Sequence, residues 1–167
     1  LWPQLQAAGV QATVLVQAAP TVHETEYMLG IADATPWVAG IVGWVDFENR
    51  DDLRQLERLA AHPKFKGVRP MIQDIPDDNW MLRPDIVWAF DALTDLGLRF
   101  DALGFPRHLA NFLTLLNRHP DLAVVVDHCM KPQIRDRRAE AFRHWADGIA
   151  RIAGQTAAVC KFSALIT

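Results

Sequence analysis

Residues 124–132 read Val-Val-Val-Asp-His-Cys-Met-Lys-Pro. Three valines are followed directly by the ionisable pair Asp127 and His128, and Pro132 closes the segment. In α/β enzymes a buried strand that ends in ionisable side chains is typical, because the carboxyl edge of a parallel sheet carries the chemistry. The stretch therefore predicts a buried strand with His128 as a candidate functional residue at its end.

Five other segments share this strand-like pattern, and helical patterns separate all six. The predicted strands are residues 11–19, 38–47, 65–71, 98–103, 122–129 and 157–165. Thr21 and Glu24 form a capping box for one helix, and Pro84 and Gly97 suit the two ends of another. Strands that alternate with helices and are almost continuously apolar indicate an α/β fold with a parallel sheet.

Two architectures fit this alternation, an open doubly wound sheet and a (β/α)8 barrel. Polar residues lie at even spacing within strands, as in Arg99 with Asp101 and Lys161 with Ser163, so each pair faces one side of the sheet. The interior of a barrel near its mouth accommodates such groups better than a sheet covered on both faces. We therefore predict that residues 1–167 form one partial TIM (β/α)8 barrel domain of about six βα units.

Composition sets the broad class of protein. The chain has 167 residues, 50% of them hydrophobic, and a formal net charge of −3, which gives no reason to expect nucleic acid or a membrane as a partner. No apolar run approaches the ~18 residues of a membrane span, and no signal peptide pattern opens the chain. Cys129 and Cys160 are expected to stay reduced, as in a cytoplasmic protein. The composition is compatible with a monomer and with a homo-oligomer.

Three residues are candidates for catalysis. His128 could act as a general base, a hydrogen-bond donor or a metal ligand, or it could be a half-buried structural histidine. Arg69 could stabilise an oxyanion or pair with a strand-end carboxylate such as Asp101. Asp101 lies inside an apolar strand and must be paired or solvated. Asp127 is expected to point away from His128, if the strand is regular there, and to be structural.

Four further residues are candidates for contacts with a substrate. Gln17, Gln73 and Ser163 could bind substrate hydroxyls or be structural. Trp80 lies in the irregular segment 72–83, which could be an active-site lid or a plain surface loop with the indole packed down.

Several common motifs do not occur in the sequence. No Gly-x-Gly-x-x-Gly, Walker loop or Gly-x-Ser-x-Gly elbow is present, which argues against dinucleotide binding and against an α/β-type serine hydrolase. A thiol nucleophile at Cys129 is disfavoured, because adjacent strand residues face opposite ways. No His-x-His occurs, so these residues alone do not support a metal site.

Seven ordered motifs resemble the amidohydrolase-2 family, and its sugar-lactone hydrolase branch in particular. They are Val16-Gln17-Ala18, Gly43-Trp44-Val45-Asp46, Lys66-Gly67-Val68-Arg69-Pro70 with Gln73-Asp74, Phe100-Asp101-Ala102-Leu103, Pro106-Arg107-His108-Leu109, Asp127-His128 with Lys131-Pro132, and Cys160-Lys161-Phe162-Ser163. The branch includes enzymes of the L-fuconolactonase and L-rhamnonolactonase kind. The resemblance implies a distorted TIM barrel that opens a sugar-acid lactone with water, with His128 at the family's strand-end histidine and Arg69 and Asp101 near the lactone pocket.

The chain departs from the family pattern in two ways. Cys129-Met130 stands where the family usually has Leu-Gly, and Ala164 stands where glycine usually follows the serine. The family's first-strand His-x-His and last-strand aspartate have no counterpart here, so we expect a barrel without its first and last strands that is inactive and poorly soluble by itself. The resemblance leaves the cofactor as none or one divalent, zinc-like metal ion. The alternatives are a metal-dependent amidohydrolase or decarboxylase and a degenerate non-catalytic member.

Overall fold

Six parallel strands and six α-helices alternate along the chain in the computed structural model, which describes residues 1–165. The strands are β1 (Thr13–Val16), β2 (Val38–Gly43), β3 (Phe65–Val68), β4 (Arg99–Ala102), β5 (Ala123–Val126) and β6 (Val159–Cys160). The helices are α1 (Trp2–Ala7), α2 (Val22–Ala34), α3 (Leu53–Ala60), α4 (Val87–Asp95), α5 (Leu109–Arg118) and α6 (Ala139–Gln155).

The strand order decides between the two predicted architectures. All six strands belong to one sheet in the order β1-β2-β3-β4-β5-β6, and each neighbouring pair is parallel. A doubly wound sheet changes the direction of its strand order at a switch point, whereas a barrel adds each strand beside the previous one. The sequential order confirms the partial barrel of six βα units.

Local signals in the sequence place the helix ends as predicted. The Thr21 hydroxyl accepts a hydrogen bond from the Glu24 backbone N–H at 3.1 Å, as in a capping box. The Glu24 carboxylate instead accepts from the backbone N–H groups of Ala18 (3.0 Å) and Ala19 (2.7 Å), so it fixes the turn between β1 and α2. Gly97 ends α4 with φ +65°, a conformation that favours glycine.

The core lies between the sheet and its helices. Phe90 packs edge-on against Phe47 (ring centroids 5.5 Å apart) and Phe100 (5.2 Å). Trp80 is only 3% exposed and stacks on Phe47 at 5.9 Å. The indole therefore occupies the packed-down position in the core, and the substrate contact expected of Trp80 does not fit this burial.

Hydrogen bonds and ion pairs join segment 72–83 to the turn before α5 and to the first turn of α5. Its Asp78 carboxylate lies 2.8 Å from Arg107 Nε and 3.0 Å from His108 Nε2, and Asn111 Nδ2 donates to the Asp78 carbonyl at 2.6 Å. The His108 Nδ1 atom accepts from the Phe105 backbone N–H at 3.0 Å, so this buried imidazole joins the loop to the turn before α5.

Among residues 1–165, every helix is too short or too polar to span a lipid bilayer.

Candidate active site

The carboxyl ends of four strands bring ionisable side chains to one cavity. Arg69 follows β3, Asp101 lies in β4, His128 follows β5 and Lys161 follows β6, and all four line a cavity of about 440 Å³. The same cavity is bounded by Val14, Val16, Val42, Lys66, Arg99 and Val125. This placement is where TIM-barrel enzymes have their active sites.

A chain of ion pairs connects the charged groups at this edge. Lys161 Nζ donates to the Asp101 carboxylate and lies 2.7 Å from Asp127 Oδ1. Arg69 Nη1 lies 3.2 Å from Asp127 Oδ2. Because Asp101 and Asp127 are both buried, each carboxylate depends on a cationic partner to offset its loss of hydration.

Burial and pairing act in opposite directions on these groups. Burial raises the pKa of Asp101, although the hydrogen bond from Lys161 opposes that rise. Burial lowers the pKa of Lys161, but hydrogen bonds to Asp101 and Asp127 outweigh it, so the pKa is raised. Lys161 is therefore a permanent cation at neutral pH, held at the wall of the cavity.

The structure identifies the partners of two strand-end residues. Arg69 pairs with Asp127, a strand-end carboxylate of the kind for which Asp101 was given as an example. Asp127 was predicted to point away from His128 and to be structural; its carboxylate is buried beside Arg69 and Lys161, whereas His128 lines the cavity. Lys161 was absent from the candidate residues, although its even spacing with Ser163 was a signal that could have identified it.

The two glutamine candidates lie beside the cavity and not on its wall. Gln17 is fully buried; its Nε2 donates to the Arg69 carbonyl at 2.6 Å, and the Arg69 guanidinium donates to the Gln17 carbonyl. Gln17 therefore holds Arg69 in place. The Gln73 Oε1 atom accepts from Lys131 Nζ, which also lies 5.3 Å from the Phe105 ring centroid.

His128 is oriented by a serine. Its Nδ1 lies 2.9 Å from Ser163 Oγ, and within residues 1–165 no protein group hydrogen-bonds Nε2. Burial lowers the pKa of His128, the cations Lys131, Lys161 and Arg69 lower it further, and Asp127 opposes them. The imidazole is therefore neutral at pH 7, with Nε2 available for a ligand.

The backbone that carries His128 is left-handed over four successive residues. The φ angles are 53° at His128, 49° at Cys129, 58° at Met130 and 49° at Lys131. Each such residue costs about 1–2 kcal/mol when it has a Cβ atom. Conformations of this kind persist where the surrounding structure enforces them, often at functional sites.

Replacing Met130 with glycine tests how packing balances this strain. The change relieves the backbone at φ 58°, but it removes a side chain that is 0% exposed. Because loss of a buried methionine costs about 2–5 kcal/mol, Met130→Gly is expected to lower the free energy of unfolding by about 1–3 kcal/mol in urea denaturation. Arg137→Gly is the matched control, since Arg137 has φ 49° and is exposed, and it should leave stability unchanged or slightly raised. A stabilised Met130→Gly protein would contradict this account.

The two cysteines meet at the same strand ends. Cys129 Sγ and Cys160 Sγ lie 3.5 Å apart, and both thiols are free. Burial, together with the neighbouring Cys160, raises the pKa of Cys129 to about 11. A thiol with so high a pKa is a weak nucleophile at neutral pH, which agrees with the prediction that Cys129 is not the nucleophile.

A metal site is not complete in the part of the chain that the structure describes. Residues 1–165 contain no group of three or more His, Cys, Asp or Glu side chains placed to hold a metal ion. His128 by itself offers one nitrogen, which does not make a site.

A parallel half-barrel with ionisable groups at the carboxyl ends of its strands is the arrangement of TIM-barrel enzymes. The chain belongs to the amidohydrolase family: the family model Amidohydro_2, described as Amidohydrolase, matches residues 3–167. This agrees with the family that the seven motifs indicated.

Two curated relatives and one crystal structure are similar to the whole chain. An L-fucono-1,5-lactonase of Burkholderia ambifaria is 43% identical over 167 residues, and an L-fucono-1,5-lactonase of Burkholderia multivorans is 31% identical over 179 residues. Each alignment covers 100% of this chain and 57% of the relative, so the chain spans little more than half the length of these relatives. A Burkholderia multivorans amidohydrolase crystallised with bound zinc superimposes with a TM-score of 0.90 at 28% identity, over 99% of this chain and 58% of that one.

Proposed function

We propose that the protein hydrolyses a sugar-acid lactone and that His128 is the residue in contact with the reacting atoms. The observation that carries this function is a neutral imidazole at a strand end, with one nitrogen held by Ser163 and the other unpaired within residues 1–165, on the wall of a cavity of about 440 Å³. The similarity to two L-fucono-1,5-lactonases supports a lactone of a deoxy sugar acid as the substrate class.

His128 can serve the two steps of ring opening that need a proton or a hydrogen bond. Attack of water on the lactone carbonyl places negative charge on the carbonyl oxygen, and the departing ring oxygen then takes up a proton. Neutral His128 can accept a proton from the attacking water at Nε2 and then, as the imidazolium, give that proton to the departing ring oxygen, so the imidazole ends the reaction neutral again. The Ser163 hydroxyl can donate to or accept from Nδ1, so it holds the ring in either tautomer.

The charged network supplies a fixed electrostatic environment for this reaction. Arg69 and Lys161 place two positive charges beside the cavity, where they stabilise negative charge on the reacting oxygen. Asp101 and Asp127 hold those cations in position. In this assignment Asp101 acts through Lys161, and Ser163 and Gln73 bind the sugar hydroxyls at the rim, while Gln17 acts only by fixing Arg69.

Metal-assisted hydrolysis is the second candidate, because the similar crystal structure contains zinc. The described residues of this chain fit no metal on their own, so His128 would be one ligand among others. Metal content of the full-length protein, with activity measured before and after chelation, separates the two candidates. A metal-free protein that retains its rate supports the first, and a loss of rate that zinc restores supports the second.

A panel of lactones tests the substrate class. The two cations at the cavity are already paired with two carboxylates, so an uncharged sugar 1,5-lactone fits better than a lactone that bears additional carboxylates. We expect the full-length protein to hydrolyse L-fucono-1,5-lactone and to leave a pyrone dicarboxylate unchanged. Preference for the dicarboxylate would contradict the assignment.

We also propose a cytoplasmic location and a role in sugar-acid metabolism. Two free thiols 3.5 Å apart are typical of a protein that is kept in a reducing compartment. The partner we propose is the small-molecule lactone, without nucleic acid or membrane.

A further inference from the structure

The left-handed turn that carries His128 needs an external restraint. Residues 128–131 all have positive φ and none is glycine. One hydrogen bond within the turn, from the Lys131 N–H to the His128 carbonyl at 2.8 Å, closes it locally. A strained backbone of this kind keeps its conformation only where its surroundings enforce it.

Trp145 on α6 supplies a restraint at the centre of the turn. Its indole Nε1 donates to the Cys129 carbonyl at 2.6 Å. That carbonyl belongs to the peptide bond between Cys129 and Met130, in the middle of the turn. The indole is half-buried and packs against Phe142 at 5.2 Å, so the donor is itself held in place by α6.

We propose that Trp145 is a positioning residue for His128. Its indole N–H fixes the Cys129 peptide in the left-handed conformation, and this sets the direction of the imidazole toward Ser163 and the cavity. The catalytic part of this inference rests on the proposed lactone hydrolysis, whereas the positioning of the imidazole does not.

A tryptophan elsewhere in the chain offers a matched control. Trp88 Nε1 also donates to a backbone carbonyl, that of Phe47, at 3.1 Å. Trp88 packs on Phe47 in the core and borders the groove between α3 and α4, not the cavity that His128 lines. Trp145→Phe and Trp88→Phe therefore remove the same kind of hydrogen bond, one beside His128 and one remote from it.

The experiment compares both variants with the wild type in the full-length protein. Trp145→Phe is expected to lower kcat on L-fucono-1,5-lactone by about 3- to 10-fold with KM nearly unchanged. This is the effect of losing one hydrogen bond that helps to stabilise the transition state but not the bound substrate. It should also shift the NMR resonances of the His128 imidazole. Trp88→Phe should leave both kcat and those resonances at their wild-type values, even if it lowers the melting temperature.

The outcomes separate the inference from the proposed function. A wild type without lactonase activity refutes the function, while a His128 shift in Trp145→Phe but not in Trp88→Phe still supports the positioning role. Unshifted His128 resonances with a wild-type kcat in Trp145→Phe overturn the inference. If Trp145→Phe does not fold, Trp145→Tyr replaces it, because the tyrosine hydroxyl lies at a different distance from the backbone than the indole N–H. Trp145→Tyr is expected to show the same shift of the His128 resonances and the same loss in kcat. Wild-type values in Trp145→Tyr also overturn the inference.

Discussion

Replacement of His128 by asparagine is expected to lower kcat on a sugar-acid lactone at least ~100-fold in the full-length protein. Asparagine can still offer a hydrogen bond near Ser163, but it cannot take up and release a proton near neutral pH. Steady-state kinetics on the wild type and on His128→Asn measure the loss. His23→Asn is the control, because His23 is an exposed residue of α2 and does not line the cavity.

The pH profile gives His128 a second signature. Because burial lowers its pKa below the usual 6.5, the imidazole stays neutral as the pH falls through 6.5 and becomes charged only at a lower pH. The acid limb of kcat/KM for the wild type should therefore have its midpoint below 6.5 and should be absent from the residual activity of His128→Asn. Near wild-type turnover in His128→Asn would reduce His128 to a structural residue.

Replacement of Lys161 by methionine is expected to cause the largest loss of stability among single changes at the site. The change leaves Asp101 and Asp127 buried with Arg69 as the remaining cation of the network. Removal of one partner of a buried ion pair costs about 3–5 kcal/mol, and since Lys161 is 32% exposed we expect about 3 kcal/mol. Urea denaturation of the full-length protein measures this loss.

The loss should depend on pH in a defined direction. The pKa of Asp101 is already raised by burial, and without Lys161 it rises further. A carboxyl whose pKa is raised on folding contributes stability below its unfolded pKa and loses it as the pH rises through the folded pKa. The deficit of Lys161→Met relative to wild type should therefore be larger at pH 8 than at pH 5.

Lys66→Met is the matched control for this prediction. Lys66 borders the same cavity, but its Nζ donates to the Pro63 carbonyl at 2.6 Å and lies in no ion pair of residues 1–165. It should change stability little and without the dependence on pH. Equal effects of the two substitutions would show that Lys161 is not the counter-ion of the buried carboxylates.

The sequence was sufficient for the architecture because its signals are local. Apolar runs, the Thr21–Glu24 capping box and the helix end at Gly97 each depend on a few neighbouring residues. The strands are shorter than predicted, since 122–129 becomes Ala123–Val126. The residues beyond the strand end form the left-handed turn at the mouth of the barrel, and four successive positive φ angles without glycine have no sequence signature.

The partners within the site could not be read from the sequence. Period-two alternation applies only while a strand continues, so it does not identify the partners of Asp127, which lies one residue beyond β5. The pairing of Lys161 with Asp101 joins residues 60 positions apart, on β4 and just after β6, which are not neighbouring strands of the sheet. Trp80 shows the converse problem: an aromatic residue in a loop suits a ligand contact and a core contact equally well, and here the core holds it.

Acid release from L-fucono-1,5-lactone, followed by pH-stat titration with the wild type and His128→Asn side by side, tests the central claim most directly. We expect the full-length wild type to accelerate ring opening well beyond the spontaneous rate and His128→Asn to lose at least ~100-fold of that acceleration. Ring opening at the spontaneous rate with the folded wild type, or equal rates for the two proteins, would contradict this claim.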